Sequence, residues 1–227
     1  MARLGEARHG GARQGTARLT FNIKGDEMDN SVKINKPTDL ITRKVKLCGT
    51  TEIMFDRYAG DNNTKLEPWQ KLYFKPGDSK VIGIPALNII SFLSAHNTNS
   101  APKRLRDARQ FKKICNACLS FVSITPSFIP LLRDNEPIVF GQMVDEKDEK
   151  SGIYVHHAVA RLEKGIPNPK QRPVLPLDWA IEFDFTLFPT GEIKEQEIIN
   201  LFEDGGRALG LGTFRGVFGK FVIEAWD

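Results

Sequence analysis

Glycines interleaved with basic residues near the C-terminal end of the sequence have the types and spacing that can bind phosphate. The glycines are Gly205, Gly206, Gly210, Gly212, Gly216 and Gly219, and the basic residues among them are Arg207, Arg215 and Lys220. Glycine lets a backbone approach a ligand closely, and successive backbone N–H groups can form a concavity that holds an anion. With arginines beside it, the segment predicts a site for the phosphates of a nucleotide or a nucleic acid. The alternative is a glycine-rich connection in a tight fold, with its arginines in solvent.

The densest basic stretch of the sequence offers a second set of phosphate contacts. Its cations are Lys103, Arg104, Arg106, Arg109, Lys112 and Lys113, with Asp107 as the one acid among them. We predict a single helix over residues 102–118, on which Arg106, Arg109 and Lys113 share a face. A stripe of this kind matches a nucleic-acid backbone, because each neutralised phosphate releases counterions. A solvated helix face is the alternative interpretation.

Three histidines are the candidates for catalysis. His156 and His157 follow each other on a predicted strand, so their side chains should face opposite sides of a sheet. His96 lies in a polar stretch after a predicted helix. A histidine can act as a general base in RNA cleavage, but none of the three has an obvious partner triad. We therefore assign no catalytic residue.

The cysteines do not indicate a metal site. Cys115 and Cys118 form a C-x-x-C pair, whereas structural zinc needs four ligands, typically with a second close pair. With Cys48, the chain has three cysteines, which are too few for a disulfide framework. We expect a reduced, cytoplasmic protein without metal or cofactor.

The charge of the chain is concentrated at its start. The net charge is +4, and residues 1–19 carry four arginines against Glu6. A nucleic-acid surface on the rest of the chain must therefore come from local clustering. We predict that residues 1–27 are a disordered basic extension and that residues 28–227 form a single domain. No apolar run approaches the length that spans a bilayer, so a membrane is not an expected partner.

The hydrophobic periodicity predicts an α+β fold. Alternation is clearest over residues 179–187, and further strands are predicted over 43–49, 119–125 and 217–226. Helices are predicted from Pro85 to Leu93, over 102–118, and from Glu192 to Glu203. The resulting order is the βαββαβ of a ferredoxin-like (RRM-like) core. We expect an inserted region around 126–177, with a hairpin between 138–144 and 153–162, and a glycine-rich loop before the last strand.

Three segments resemble the RAMP superfamily, the ferredoxin-like RNA-binding proteins of CRISPR systems. They are KVKLCGTT (44–51), IGIPALNIISFL (82–93) and GLGTFRGVFGKF (210–221). The likeness is nearest to the backbone subunits that polymerise along guide RNA, or to a stand-alone relative encoded by a phage or mobile element. This resemblance implies a backbone-binding RNA protein that self-associates and uses no cofactor.

The sequence thus predicts a protein that binds single-stranded nucleic acid, RNA or single-stranded DNA, as a subunit of a CRISPR-like ribonucleoprotein. The predicted contacts are the six cations of residues 103–113 and the glycines and basic residues of 205–220. One alternative is a metal-independent endoribonuclease using His96, His156 or His157. Another is a structural or interaction protein that binds no nucleic acid.

Overall fold

A computed structural model of the protein describes residues 40–61, 63–96, 98–161, 167–188 and 191–227. The region predicted to be a disordered extension, residues 1–27, lies outside this part of the chain. Residues 37–227 make up one compact unit.

The fold is α+β, as the periodicity predicts. The strands are β1 (Ile41–Gly49), β2 (Ile53–Met54), β3 (Tyr73–Lys75), β4 (Asp78–Pro85), β5 (Val122–Thr125), β6 (Phe128–Arg133), β7 (Glu136–Pro137), β8 (Met143–Val144), β9 (Lys147–Asp148), β10 (Tyr154–Arg161), β11 (Pro167–Leu175), β12 (Ala180–Leu187) and β13 (Phe221–Trp226). The helices are α1 (Ala86–Ser94), α2 (Ala101–Leu105), α3 (Phe111–Phe121) and α4 (Glu195–Ala208), with one 3-10 turn, Pro68–Lys71.

The main sheet has the order β13-β1-β12-β6-β4-β3, and β5 also pairs with β12. All of these neighbours are antiparallel. β5 and β6 both lie along β12, β5 opposite its second half and β6 opposite its start. They therefore act as one interrupted strand, and its later part turns to pair with β4 as well.

The core lies between this sheet and the helices. The predicted alternation of β12 is confirmed, since Ile181, Phe183, Phe185 and Leu187 are buried. Phe202 of α4 packs against Phe183 with ring centroids 6.3 Å apart, and against Phe92 of α1 at 5.5 Å. Burial of such rings is the main stabilising contribution in a core of this kind.

The single helix predicted over 102–118 is wrong. The chain forms α2 and α3 instead, and Arg106 between them has an extended backbone. The side chain of Asp107 accepts a hydrogen bond from the N–H of Arg109 at 2.7 Å, which fixes a turn. An aspartate that binds the backbone two residues on competes with a helix in this way. Arg106, Arg109 and Lys113 therefore do not share one helical face.

The hairpin predicted between 138–144 and 153–162 is also wrong. β10 pairs over its whole length with β11, and it meets β9 only at Tyr154. Pro167, Pro169 and Pro173 occupy alternate positions of β11, and the Pro173 carbonyl faces away from β10, where it accepts the N–H of Phe55 at 3.0 Å. Proline is tolerated where its nitrogen points to an edge. The second sheet has the order β2-β11-β10-β9-β8.

The last helix is longer than predicted. Gly205 and Gly206, expected in the glycine-rich loop, lie in the final turn of α4 and are buried. A Cβ on Gly205 would lie 2.5 Å from the ring of Phe92, and one on Gly206 would lie 2.5 Å from the carbonyl oxygen of Phe221. These two glycines allow close packing of α4 rather than contact with a ligand.

Candidate nucleic-acid interface

The glycine loop, residues 209–220, uses most of its backbone N–H groups within the protein. Thr213 and Gly219 donate to the carbonyls of Met54 and Glu52 at 2.9 and 2.7 Å. Leu211 donates to the Gly219 carbonyl at 2.8 Å, and Lys220 donates to the hydroxyl of Thr51 at 2.9 Å. These hydrogen bonds hold this part of the loop against β2 and against itself. The whole loop therefore does not form the predicted anion-binding concavity.

Three glycines in this loop are required by close backbone crossings. A Cβ on Gly219 would lie 2.0 Å from the Leu211 carbonyl oxygen, and one on Gly210 would lie 2.5 Å from Gly219. A Cβ on Gly212 would lie 2.5 Å from the Met54 carbonyl oxygen. All three also have positive φ, which favours glycine.

The tip of the loop differs from its stem. Gly216 has a φ of +96°, and a Cβ there would meet only the Ala208 carbonyl, at 4.0 Å. Phe214 and Val217 are exposed by 55% and 58%. In the described part of the chain, no atom accepts a hydrogen bond from the backbone N–H groups of Phe214 and Arg215. The tip thus combines free donors, open space and an exposed ring.

Arg215 connects the tip to the start of α2. Its Nη1 donates to the carbonyl of Asn99 at 2.7 Å, and its Nε donates to the Gly212 carbonyl at 3.3 Å. Burial lowers the pKa of the Arg215 guanidinium, although the group stays charged because arginine titrates far above neutral pH. Both observed partners are neutral carbonyls, so the positive charge of Arg215 is not neutralised by them.

Two elements that neighbour the loop tip carry further exposed cations. Lys103 and Arg104 are exposed on α2, a few residues beyond Asn99. Arg207 is exposed in the last turn of α4. α2 packs against this end of α4, where Ala101 lies close to Gly205. We name the surface formed by Lys103, Arg104, Arg207 and the loop tip 214–217 the tip surface. Asp204, exposed one turn before Arg207, is its acidic neighbour.

The other predicted cations have different surroundings. Arg106 donates through Nε to Glu197 at 2.8 Å, and both side chains are partly buried. Arg109, Lys112 and Lys113 are exposed on the turn before α3 and on its first residues. Lys220 lies beside the loop after β1, where its carbonyl accepts the N–H of Thr50 at 2.7 Å. The structure therefore brings together only part of the predicted set.

The three histidines do not form one site. His156 packs edge-on against Phe218 beneath the glycine loop, with ring centroids 5.5 Å apart. His157 faces the other side of β10 and contacts a Glu146 carboxylate oxygen through Nε2 at 2.8 Å. His96 is exposed, near the ring of Phe111. The opposite orientation of the first two is the one predicted.

The described residues contain no group of three potential metal ligands. Cys115 and Cys118 are buried in α3. Burial raises the pKa of the Cys118 thiol to about 12, so it is protonated at neutral pH. The pair therefore serves as core packing. Within the described ranges, no helix is long and apolar enough to cross a membrane.

The open face of the main sheet is balanced in charge. Lys46 lies 3.6 Å from Glu182 and 3.3 Å from Glu224, and Lys44 is paired in register with Asp184. An RNA-binding sheet of the RRM kind instead presents aromatic rings on its central strands. β1 and β12 carry none on this face, so the sheet surface is a weaker candidate than the tip surface.

Two features of the tip surface had little signal in the sequence. Asn99 contributes a backbone carbonyl, which any residue could supply. Phe214 has a φ of +53°, a conformation that is uncommon for an aromatic residue and that no local pattern predicts. In the sequence, Phe214 is distinguished only as an aromatic residue next to an arginine.

Comparisons with known proteins give a limited result. No family model matches the sequence, and no curated protein matches it. Among solved structures, the chain is similar to one in the "Cryo-EM structure of the Type III-B Cmr-beta bound to cognate target RNA", at 9% sequence identity and a TM-score of 0.46. The match covers 83% of this chain and 60% of that chain, so this chain spans less than two thirds of the neighbour's length.

Proposed function

We propose that the protein binds single-stranded nucleic acid, RNA in the first place, through its phosphates at the tip surface. The observation that carries this proposal is the position of Arg215. Its hydrogen bond to Asn99 holds the loop tip beside α2. This contact supports the inference that cations from three separate segments serve one surface. Guanidinium groups can contact phosphate through two parallel hydrogen bonds, and this geometry favours arginine at such sites.

The exposed ring of Phe214 gives the strand a second kind of contact. A base can stack on an aromatic side chain, which contributes about 1–3 kcal/mol per base and tolerates any sequence. Phosphate contacts position a strand without specifying it. We therefore expect weak sequence preference and a preference for single strands over duplex.

We further propose that the core is ferredoxin-like. The order β13-β1-β12-β5 supports this, because the connection from β1 to β5 ends in α1 to α3, after β2 to β4, and α4 connects β12 to β13. That arrangement corresponds to βαββαβ connectivity in an antiparallel sheet. The resemblance of three sequence segments to the RAMP superfamily supports extending the proposal to a self-associating subunit of a CRISPR-like ribonucleoprotein. Light scattering of the protein with RNAs of increasing length tests that extension, and a mass that stays at one copy on every RNA contradicts it.

The binding proposal is tested with a labelled oligouridylate of about 20 nucleotides, long enough for several contacts. The double variant Lys103→Ala/Arg104→Ala should bind about tenfold more weakly, corresponding to about 1.4 kcal/mol. Phe214→Ala should also weaken binding, and Asp204→Asn should strengthen it. The matched control is Lys112→Ala/Lys113→Ala, which removes the same charge from α3.

Equal losses in the test and control variants would show a non-specific charge effect and contradict the tip surface. Absence of binding by the wild-type chain at low salt, with a protein partner recovered instead, would favour an interaction protein.

A further inference from the structure

A large cleft lies on the opposite face of β10 from the glycine loop. It runs between residues 56–61 and 64–67 on one side and strands β10 and β11 on the other, and its volume is about 1060 Å³. Ligand sites in proteins commonly enclose about 300–1,000 Å³. His157 lines it, whereas its neighbour His156 contacts the glycine loop. The cleft is therefore separate from the tip surface.

Two of the acidic residues that line the cleft are engaged by the protein itself. Asp56 accepts a hydrogen bond from Nε of Arg172 at 2.7 Å. Asp61 accepts hydrogen bonds from Asn63 and Thr64, which lower the pKa of its carboxyl, the Thr64 hydroxyl having the largest effect. Both carboxylates thus accept hydrogen bonds from neighbouring groups of the protein. Glu67 lines the rim and is exposed.

The lysines of the cleft lack such partners. Lys71 is half-buried and donates to the neutral carbonyl of Gln171 at 2.5 Å. Among the described residues, no carboxylate lies within ion-pair distance of Lys71 or Lys170. Burial lowers the pKa of the Lys71 ammonium, and Arg172 and Lys170 lower it further, whereas Asp56 and Glu67 partly offset these effects. Lys71, Lys170 and Arg172 thus lie near Asp56, with Glu67 as a second carboxylate close enough to act on Lys71.

We propose that this cleft binds the phosphate of a nucleotide, with Lys71 and Lys170 as its contacts and the ring of Tyr58 beside the base. A bound anion relieves the repulsion between the two ammonium groups and supplies the anionic partner that Lys71 lacks. The Tyr58 side chain is 62% exposed and lines the same cleft, so its ring is accessible to a base. The nucleotide is either free or part of a strand, since both present the same phosphate and base.

Calorimetry of the full chain with ADP and with inorganic pyrophosphate tests the proposal. Lys71→Gln/Lys170→Gln should weaken binding of both probes at least tenfold, a change of about 1.4 kcal/mol. Tyr58→Ala should weaken binding of ADP and leave pyrophosphate unchanged. Lys71→Arg, which keeps the charge, should retain most of the affinity. Lys112→Gln/Lys113→Gln, two exposed cations far along the chain, should change neither.

A urea denaturation curve of each variant establishes that it is folded. If ADP does not bind but Lys71→Gln/Lys170→Gln weakens binding of the oligouridylate, the nucleotide belongs to a strand. If neither probe nor oligouridylate responds to that variant, the proposal is overturned.

Failure of the tip surface is distinguishable from failure of the cleft. Lys103→Ala/Arg104→Ala should weaken oligouridylate binding and leave ADP binding unchanged. Loss of ADP binding in that variant would contradict the separation of the two sites.

Discussion

At the scale of single residues, the glycines near the C-terminal end divide into two kinds. Gly210, Gly212 and Gly219 lie where two backbone segments cross too closely for a Cβ. Gly216 lies at the tip, where there is room around it. Both kinds have positive φ. A sequence therefore cannot distinguish them, because a backbone crossing and a ligand both require the absence of a side chain.

This division predicts different effects for the same substitution. Gly219→Ala places a Cβ against the Leu211 carbonyl oxygen, and it should reduce the free energy of unfolding by about 3 kcal/mol. Gly216→Ala meets only backbone strain and should cost about 1–2 kcal/mol. Urea denaturation of the two variants checks this. Equal losses of stability would contradict the close crossing at Gly219.

Charge alone does not reveal which of the predicted cations already form an ion pair within the protein. Arg106 is paired with Glu197 of α4, and nothing near Arg106 in the sequence indicates that contact. Lys103 and Arg104 have no carboxylate partner in the described part of the chain. The distinction depends on the packing of α2 against α4, which is a long-range property.

At the scale of elements, the turn that carries β8 and β9 is held by one buried carboxylate. Asp148 is 1% exposed and accepts hydrogen bonds from the N–H groups of Gly141, Gln142 and Ser151 and from the Ser151 hydroxyl. Burial raises the pKa of the Asp148 carboxyl, but these hydrogen bonds outweigh it and lower the pKa. In the sequence, Asp148 lies within the charged run DEKDEK (145–150), which does not indicate a buried carboxylate.

Asp148→Asn should destabilise the protein by about 1–3 kcal/mol, because the amide N–H₂ group would face N–H donors. The folded pKa of Asp148 is depressed, so its contribution is present above the unfolded value of about 4 and is lost as pH falls below it. The difference between wild type and variant should therefore be largest at neutral pH and shrink in acid. Denaturation curves over a pH series check this, with the exposed Glu149→Gln as control. A difference that is constant with pH would contradict the assignment.

Elements with a strong local pattern could be predicted, and those that depend on pairing could not. β12 and the start of α1 follow from alternation and from Pro85. β11 contains three prolines, and it is a strand only because their nitrogens point away from β10. That orientation depends on the register of the hairpin, which no short window of sequence contains.

At the scale of the whole molecule, the α+β class follows from the order of the elements. The second sheet and the cleft beside it depend on the pairing of β2 with β11, two strands that are far apart along the chain. The tip surface likewise draws on α2, α4 and the glycine loop. Its residues could be nominated from the sequence as basic or glycine-rich, but their grouping required the fold.

The central claim is that the tip surface binds a nucleic-acid strand through phosphates, and its salt dependence is the most direct test. We would measure the affinity of the wild-type chain for an oligouridylate over a series of salt concentrations. Four neutralised phosphates predict a slope of about −3 in a plot of log K against log salt, at about −0.7 for each phosphate on a single strand. Lys103→Ala/Arg104→Ala should reduce the slope by about half. A slope near zero, or one that this variant leaves unchanged, would contradict the account.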